Sequence, residues 1–172
     1  DVLDDYYCIL CINGNELFSA GSEYDTYYGL SGTTVSIPVK AEGFGLKYKW
    51  TKWSNAPVIV EGTEDDETVQ IYIEEGKYNV GDKFTYTCTV KDRFFNEAKV
   101  TVDLEIQSLN NLYAVTYSSQ YEGITGIPGK THVKKGESIT IPELIPQLDG
   151  YTFLYWRTGD LQRLSPGDTY TP

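Results

Sequence analysis

Apolar and polar residues alternate along several short stretches of the chain, and the alternation is clearest from about Gly32 onward. The run "TTVSIPVKAEG" places Val35, Ile37, Val39 and Ala41 on one side, the period of two expected of a half-buried strand. "GLKYKWTKW" follows with Leu46, Tyr48 and Trp50 on one face and Lys47 and Lys49 on the other. "PVIVEGTEDDETVQIYIEEG" predicts two short strands around an acidic turn. "GDKFTYTCTVKDRF" and "AKVTVDLEIQ" are two more alternating runs, with "FFNE" as the hairpin loop between them. Strands at this spacing, separated by turn signals, predict a sandwich. Ahead of them, residues 1–19 hold a short apolar run and a Gly-Asn break, which predicts a leading strand or a linker.

After the polar joint "QSLNN" the pattern starts again with "LYAVTY", "GITGIPGKTHVKKGESITIPE", "LDGYTFLYWRTG" and "LSPGDTYTP", so the domains are expected at residues 20–108 and 112–172. The densest aromatic stretch is "GYTFLYW". On a strand, Tyr151, Phe153 and Tyr155 share one face and Thr152 and Leu154 the other, while Gly150 lets the chain enter from a tight bend. Trp156 then covers a neighbouring turn from the strand end. The expectation is that these rings are the core of a small domain, because a small core needs large side chains to gain enough burial.

Composition supports the strand reading. The 172 residues include fifteen tyrosines and three tryptophans but no methionine, and little of the chain has helical period; the predicted class is all-β. Charge separates the two halves. Up to Asn110 there are nineteen Asp/Glu against nine Lys/Arg, and after it six against five, so the net charge of −11 lies almost wholly in the first part. Such acidity argues against a nucleic-acid partner, whose affinity comes from Lys/Arg neutralising phosphates. No apolar run approaches the length needed to span a bilayer, so no membrane insertion by this segment is expected, and "DVLDDYY" lacks the regions of a signal peptide.

Two groups of residues carry resemblances to known families. Asp82, Tyr86 and Cys88 form an Asp-x-x-x-Tyr-x-Cys segment, with Trp50 upstream on a lysine-lined strand; this resembles an immunoglobulin-like domain over roughly residues 20 to 107. The resemblance implies that Tyr86 forms a tyrosine corner. Val39 stands where the partner cysteine of the inter-sheet disulfide would be, so the resemblance implies a buried free thiol at Cys88, packed near Trp50, unless Cys8 or Cys11 comes within reach. In the second half, "YAVTY", the Gly-Pro segment, "KKGESITIPE", "GYTFLYW" and "SPGDTY" occur in the order of the Listeria–Bacteroides repeat, also called the internalin B-repeat, with Gly150, Tyr151, Phe153 and Trp156 matching its hallmark. That resemblance implies a small β-rich, β-grasp-like module and a further short strand after "PGDTY". Either that strand lies beyond Pro172 or the fold is completed differently, and an uncovered sheet edge is expected.

Candidate chemistry is sparse. Cys8 and Cys11 form a C-x-x-C, but without the strand-to-helix context of a redox site or the further ligands of a zinc site. Glu61, Glu64, Asp65, Asp66 and Glu67 crowd one turn, which could hold calcium but lacks EF-hand spacing; a solvated turn is expected. His132, the single histidine, has no G-x-S-x-G nucleophile elbow to serve. No cofactor, catalytic residue or metal ligand is therefore assigned. Tyr24, Tyr27 and Tyr28 are the candidate ligand-binding residues, since exposed rings can stack on sugars or anchor proteins, with packing along an edge strand as the competing reading. Spacing alone cannot reveal a Lys-to-Asn/Asp cross-link. The two resemblances together imply a non-enzymatic, extracellular piece of a bacterial cell-surface protein, acting between neighbouring modules as a stalk or spacer in adhesion. The alternative is direct binding of a host protein or glycan.

Overall fold

The computed structural model describes residues 18–172. The chain divides into two compact units, one running to Ile106 and one from Gln107 to Pro172. Cys8 and Cys11, and with them the expected leading strand over most of residues 1–19, lie outside the described residues.

The chain is all-β: fifteen strands and a single 3₁₀ turn, Leu109–Asn111, among the described residues. In the first unit, β2 (Thr26–Leu30), β9 (Glu97–Gln107), β8 (Lys83–Lys91) and β5 (Lys47–Lys52) form one sheet in that spatial order, and β3 (Thr34–Pro38), β7 (Thr68–Tyr72) and β6 (Val58–Ile59) form another. In immunoglobulin lettering these are A′-G-F-C and B-E-D, so the unit is an immunoglobulin-like sandwich. Alternation predicts the inner faces well. Along β8, Phe84, Tyr86, Cys88 and Val90 are buried, the threonines between them are half-buried and the end lysines exposed, and across the ladder Trp50 faces Cys88 and Cys88 faces Val100. The opposite sheet contributes Ile37, Val69 and Ile71, all without solvent exposure.

The run from Thr34 to Glu42 is broken rather than continuous. After Pro38, which has no N–H to give to a ladder, the Val39 N–H donates to the Glu67 carbonyl (2.8 Å) and β4 (Lys40–Glu42) pairs instead with β1 (Ser19–Gly21). Cys88 is a free, buried thiol, and burial pushes its pKa up to about 11. Val39, at the position opposite it in sequence logic, is also buried.

The tyrosine corner is not formed. The Tyr86 hydroxyl donates to the Pro57 carbonyl (2.6 Å), 29 residues upstream, instead of to a carbonyl just before β8. The reason is local: Pro57 is itself fully buried in the loop that follows β5, and its carbonyl needs a donor there. The job of shaping the turn into β8 falls to Asp82, whose carboxylate accepts the Asn79 N–H at 2.9 Å.

The second unit has shorter strands. β10 (Leu112–Val115) pairs with β11 (Thr131–Lys134), β12 (Ile139–Thr140) with β15 (Thr169–Tyr170), and β13 (Trp156–Arg157) with β14 (Arg163–Leu164), each as an antiparallel two-stranded sheet. A single continuous sheet of β-grasp type is not seen. Its buried residues are Gln107, Leu112, Thr131, Val133, Ile139, Ile141 and Leu164, together with Pro128 and Pro142. The last strand, β15, belongs to a two-stranded sheet and therefore has an unpaired edge.

The expected core strand "GYTFLYW" is a correction. Only Trp156 of these residues is in a strand; Tyr151 and Leu154 are 66% and 75% exposed, and Phe153 and Trp156 are half-buried. An alternating sequence makes a strand only where a partner supplies hydrogen bonds, and here Gly150, at φ +80°, instead closes a turn in which the Tyr151 N–H donates to the Leu148 carbonyl (3.1 Å).

Candidate functional site: an aromatic cleft in the second unit

The tyrosines singled out from the sequence do not form a surface patch. Tyr24 and Tyr27 are buried, edge-to-face at 5.8 Å, and Tyr28 is half-buried. The period of two explains this: on β2, Tyr27 and Gly29 point inward, and Gly29 lies so close to the opposite sheet that an added methyl would meet Ile73 Cδ1 at 2.2 Å. Burial and the nearby Glu23 carboxylate push the Tyr27 phenol pKa well up, and its hydroxyl has no hydrogen-bond partner. These rings are packing residues.

The acidic turn also has a structural role. The Glu64 carbonyl accepts the Trp50 N–H (2.7 Å), the Asp66 carbonyl accepts the Trp50 indole N–H (2.8 Å), and Lys49 pairs with Asp65 (3.0 Å), so the turn stitches the two sheets together. Among the described residues no group of three or more His, Cys, Asp or Glu side chains is placed to hold a metal ion. His132 sits half-buried on β11 opposite Ala114, and burial together with Lys130 holds its pKa below the usual value.

The first unit exposes rings at Phe44, Trp53, Tyr72 and Phe95, but the second unit gathers exposed rings around a cleft. Three segments converge on a cleft of about 400 Å³: the long β10–β11 connection with Ser119, Tyr121, Ile124 and Ile127, the stretch Pro146–Leu148, and residues 151–156. Thr125 and Gln147 exchange backbone hydrogen bonds (3.0 and 2.9 Å) and fasten the first segment to the second. Gly126 beside them is at φ +74°, and an added side chain would press on the Ile145 carbonyl at 3.3 Å, so only glycine suits this crossing. The third segment is anchored by the β13–β14 hairpin, where Trp156 faces Leu164. Its loop is tied by Thr158, whose N–H donates to the Gln162 carbonyl (3.0 Å) and whose hydroxyl donates to Asp160; that last bond, first among the causes, holds the Asp160 pKa below the usual carboxylate range.

The rings in the cleft fall into two pairs. Tyr121 and Tyr151 lie 5.5 Å apart, tilted by 40°, and both are more than half exposed. Phe153 lies 5.3 Å from Trp156, whose other neighbour, Tyr117, meets it edge-on at 5.0 Å. Arg163 stacks over the Tyr155 ring at 4.8 Å, which holds that ring in place through a cation–π contact. The Trp156 indole N–H is closed off from solvent and has no acceptor. No Asp, Glu, Lys, Arg or His side chain lines the cleft. It is an uncharged aromatic groove, suited to holding a ligand and without groups for acid–base or nucleophilic chemistry.

Of these residues the sequence singled out Tyr151, Phe153, Tyr155 and Trp156 but as core; Tyr121 was missed, and only its Tyr-rich, Gly-punctuated surroundings offered any signal. No protein-family model matches the sequence, and no curated protein matches it. Among the described residues no helix is long and apolar enough to cross a membrane. Solved structures similar to this chain include a nucleoside hydrolase-related hypothetical protein from Saccharophagus degradans that is associated with carbohydrate metabolism, at 19% identity and TM-score 0.39, over 48% of this chain and only 22% of that one. They also include the D00-D0 domain of Intimin, at 12% identity and TM-score 0.42, over 89% of this chain and 83% of that one. At those scores the immunoglobulin-like assignment rests on the strand order of the first unit alone.

Proposed function

We propose that the chain is a non-enzymatic, extracellular piece of a bacterial cell-surface protein, in which the immunoglobulin-like unit is a spacer and the second unit recognises a host molecule through its aromatic cleft. The single observation that carries recognition is the exposed, charge-free groove lined by Tyr121, Tyr151 and Leu154. Large apolar rings left in water cost free energy, and contiguous exposed apolar surface usually marks an interaction site. The surface location and the membership of a larger modular protein are supported by the tandem of small β units and by the order of repeat-like motifs in residues 112–172.

The test is a saturation-binding screen of the chain against host matrix proteins and glycans at physiological salt. Saturable binding that is lost in a Tyr121→Ala/Tyr151→Ala double variant supports the reading. Binding retained in that variant would move recognition away from the cleft, and silence across the screen would leave both units as a stalk.

A further inference from the structure

The chemistry of the cleft narrows what it can hold. An ionic ligand finds no charged side chain lining the cleft, because no Asp, Glu, Lys, Arg or His is among its walls. A glycan is a poor match too. Sugars carry a hydroxyl on most carbons, while beyond the phenols of Tyr121, Tyr151 and Tyr155 the side-chain amide and hydroxyl groups lining the cleft are only those of Ser119, Gln147 and Thr152, set among aliphatic Ile124, Ile127 and Leu148. Many sugar hydroxyls pressed against the aliphatic walls would lose water and gain few partners. The groove asks for an occupant with broad apolar faces, no charge, and acceptors in excess of donors.

An extended proline-rich peptide has those properties. Proline has no N–H to leave unsatisfied, its ring is an apolar face, and every residue presents a carbonyl acceptor. The polyproline II helix is also largely preformed, so little entropy is lost on docking. The two ring pairs, Tyr121 with Tyr151 and Phe153 with Trp156, give successive aromatic walls along one groove, and Pro146 lines it as well.

We infer that the cleft of the second unit binds an uncharged, proline-rich segment of a partner protein in the polyproline II conformation. This rests on the reading of the cleft as the recognition surface. The experiment is a titration of the ¹⁵N-labelled chain with decaproline, following the indole N–H resonances of Trp50, Trp53 and Trp156. The expected result is a saturable shift confined to Trp156, little changed between low and high salt because no charges meet. Tyr121→Ala and Tyr151→Ala should each weaken it by about tenfold with the spectrum of the fold retained. No saturable response to decaproline overturns the inference. A saturable Trp156 shift with a neutral oligosaccharide such as cellohexaose, alongside silence toward decaproline, would replace the peptide by a glycan and leave the cleft as a recognition site. Silence toward both probes, together with an empty binding screen, would take down the inference and the recognition reading at once.

Discussion

Two tyrosine pairs in this chain have nearly the same ring spacing and opposite fates. Tyr24 and Tyr27 meet at 5.8 Å and are buried; Tyr121 and Tyr151 meet at 5.5 Å and stand in water. The difference lies in what covers them. β2 is hydrogen-bonded to the eleven-residue β9 and faces a second sheet, so each inward side chain on it meets a wall. In the second unit no strand exceeds four residues, and the segments carrying Tyr121 and Tyr151 are loops joined by one bridge. Aromatic density marks where a fold can gain free energy, and the presence of a facing layer decides whether it is gained by packing or left for a partner.

The contrast breaks most visibly if a first-unit ring proves dispensable. Trp50→Ala removes a side chain that is 2% exposed, faces Cys88 and donates to Asp66, and should destabilise the first unit by about 3–5 kcal/mol in denaturant unfolding. The Trp156 resonance should report the second unit unchanged. Next in size, Gly29→Ala drives a methyl into Ile73 within a filled core and should cost about 1–3 kcal/mol; a neutral result would mean that the sandwich is looser than its burial implies.

Cys88 sharpens the comparison through pH. Its pKa is raised on folding, so the folded state favours the protonated thiol; the associated stability is complete below the unfolded thiol's pKa of about 8.5 and is lost as pH rises toward about 11. Chemical unfolding across that window should show a declining first unit, with part of the decline removed in Cys88→Ala. In native protein at neutral pH a thiol reagent should leave Cys88 unlabelled until unfolding.

Smaller effects belong to the second unit. Phe153→Ala removes a half-buried ring and should cost about 1 kcal/mol, well below the loss for a ring enclosed on all sides. Smallest of all, Tyr151→Ala should change stability by no more than about 0.5 kcal/mol. A large loss at Tyr151 would show that the cleft closes on itself in solution, and the contrast between the two tyrosine pairs would then disappear.

Legibility followed the range of the interactions. Phe84, Tyr86, Cys88 and Val90 announce their inward face because a strand's period of two is a local property, and the burial of Trp50 beside Cys88 follows once β5 and β8 pair. The bond partner of Tyr86 was not legible, since it depends on where a loop 29 residues away brings the Pro57 carbonyl. Nor was the cleft. "GYTFLYW" is as rich in strand-favouring rings as any stretch of the chain, yet whether Tyr151 pairs, packs or faces water turns on Gly150, the Thr125–Gln147 bridge and the path of the β10–β11 connection.

By itself, the sequence determined the all-β class, the inward face of strands such as β8, the charge break at Asn110 into an acidic part and a nearly neutral one, and the stock of aromatic residues. These depend on local periodicity and on composition. Tertiary structure alone decided which rings became core and which became a surface, that Cys88 lies sealed beside Trp50, and that three loop segments enclose an uncharged groove. Burial is a relation between segments distant along the chain, and no local pattern of side chains contains it.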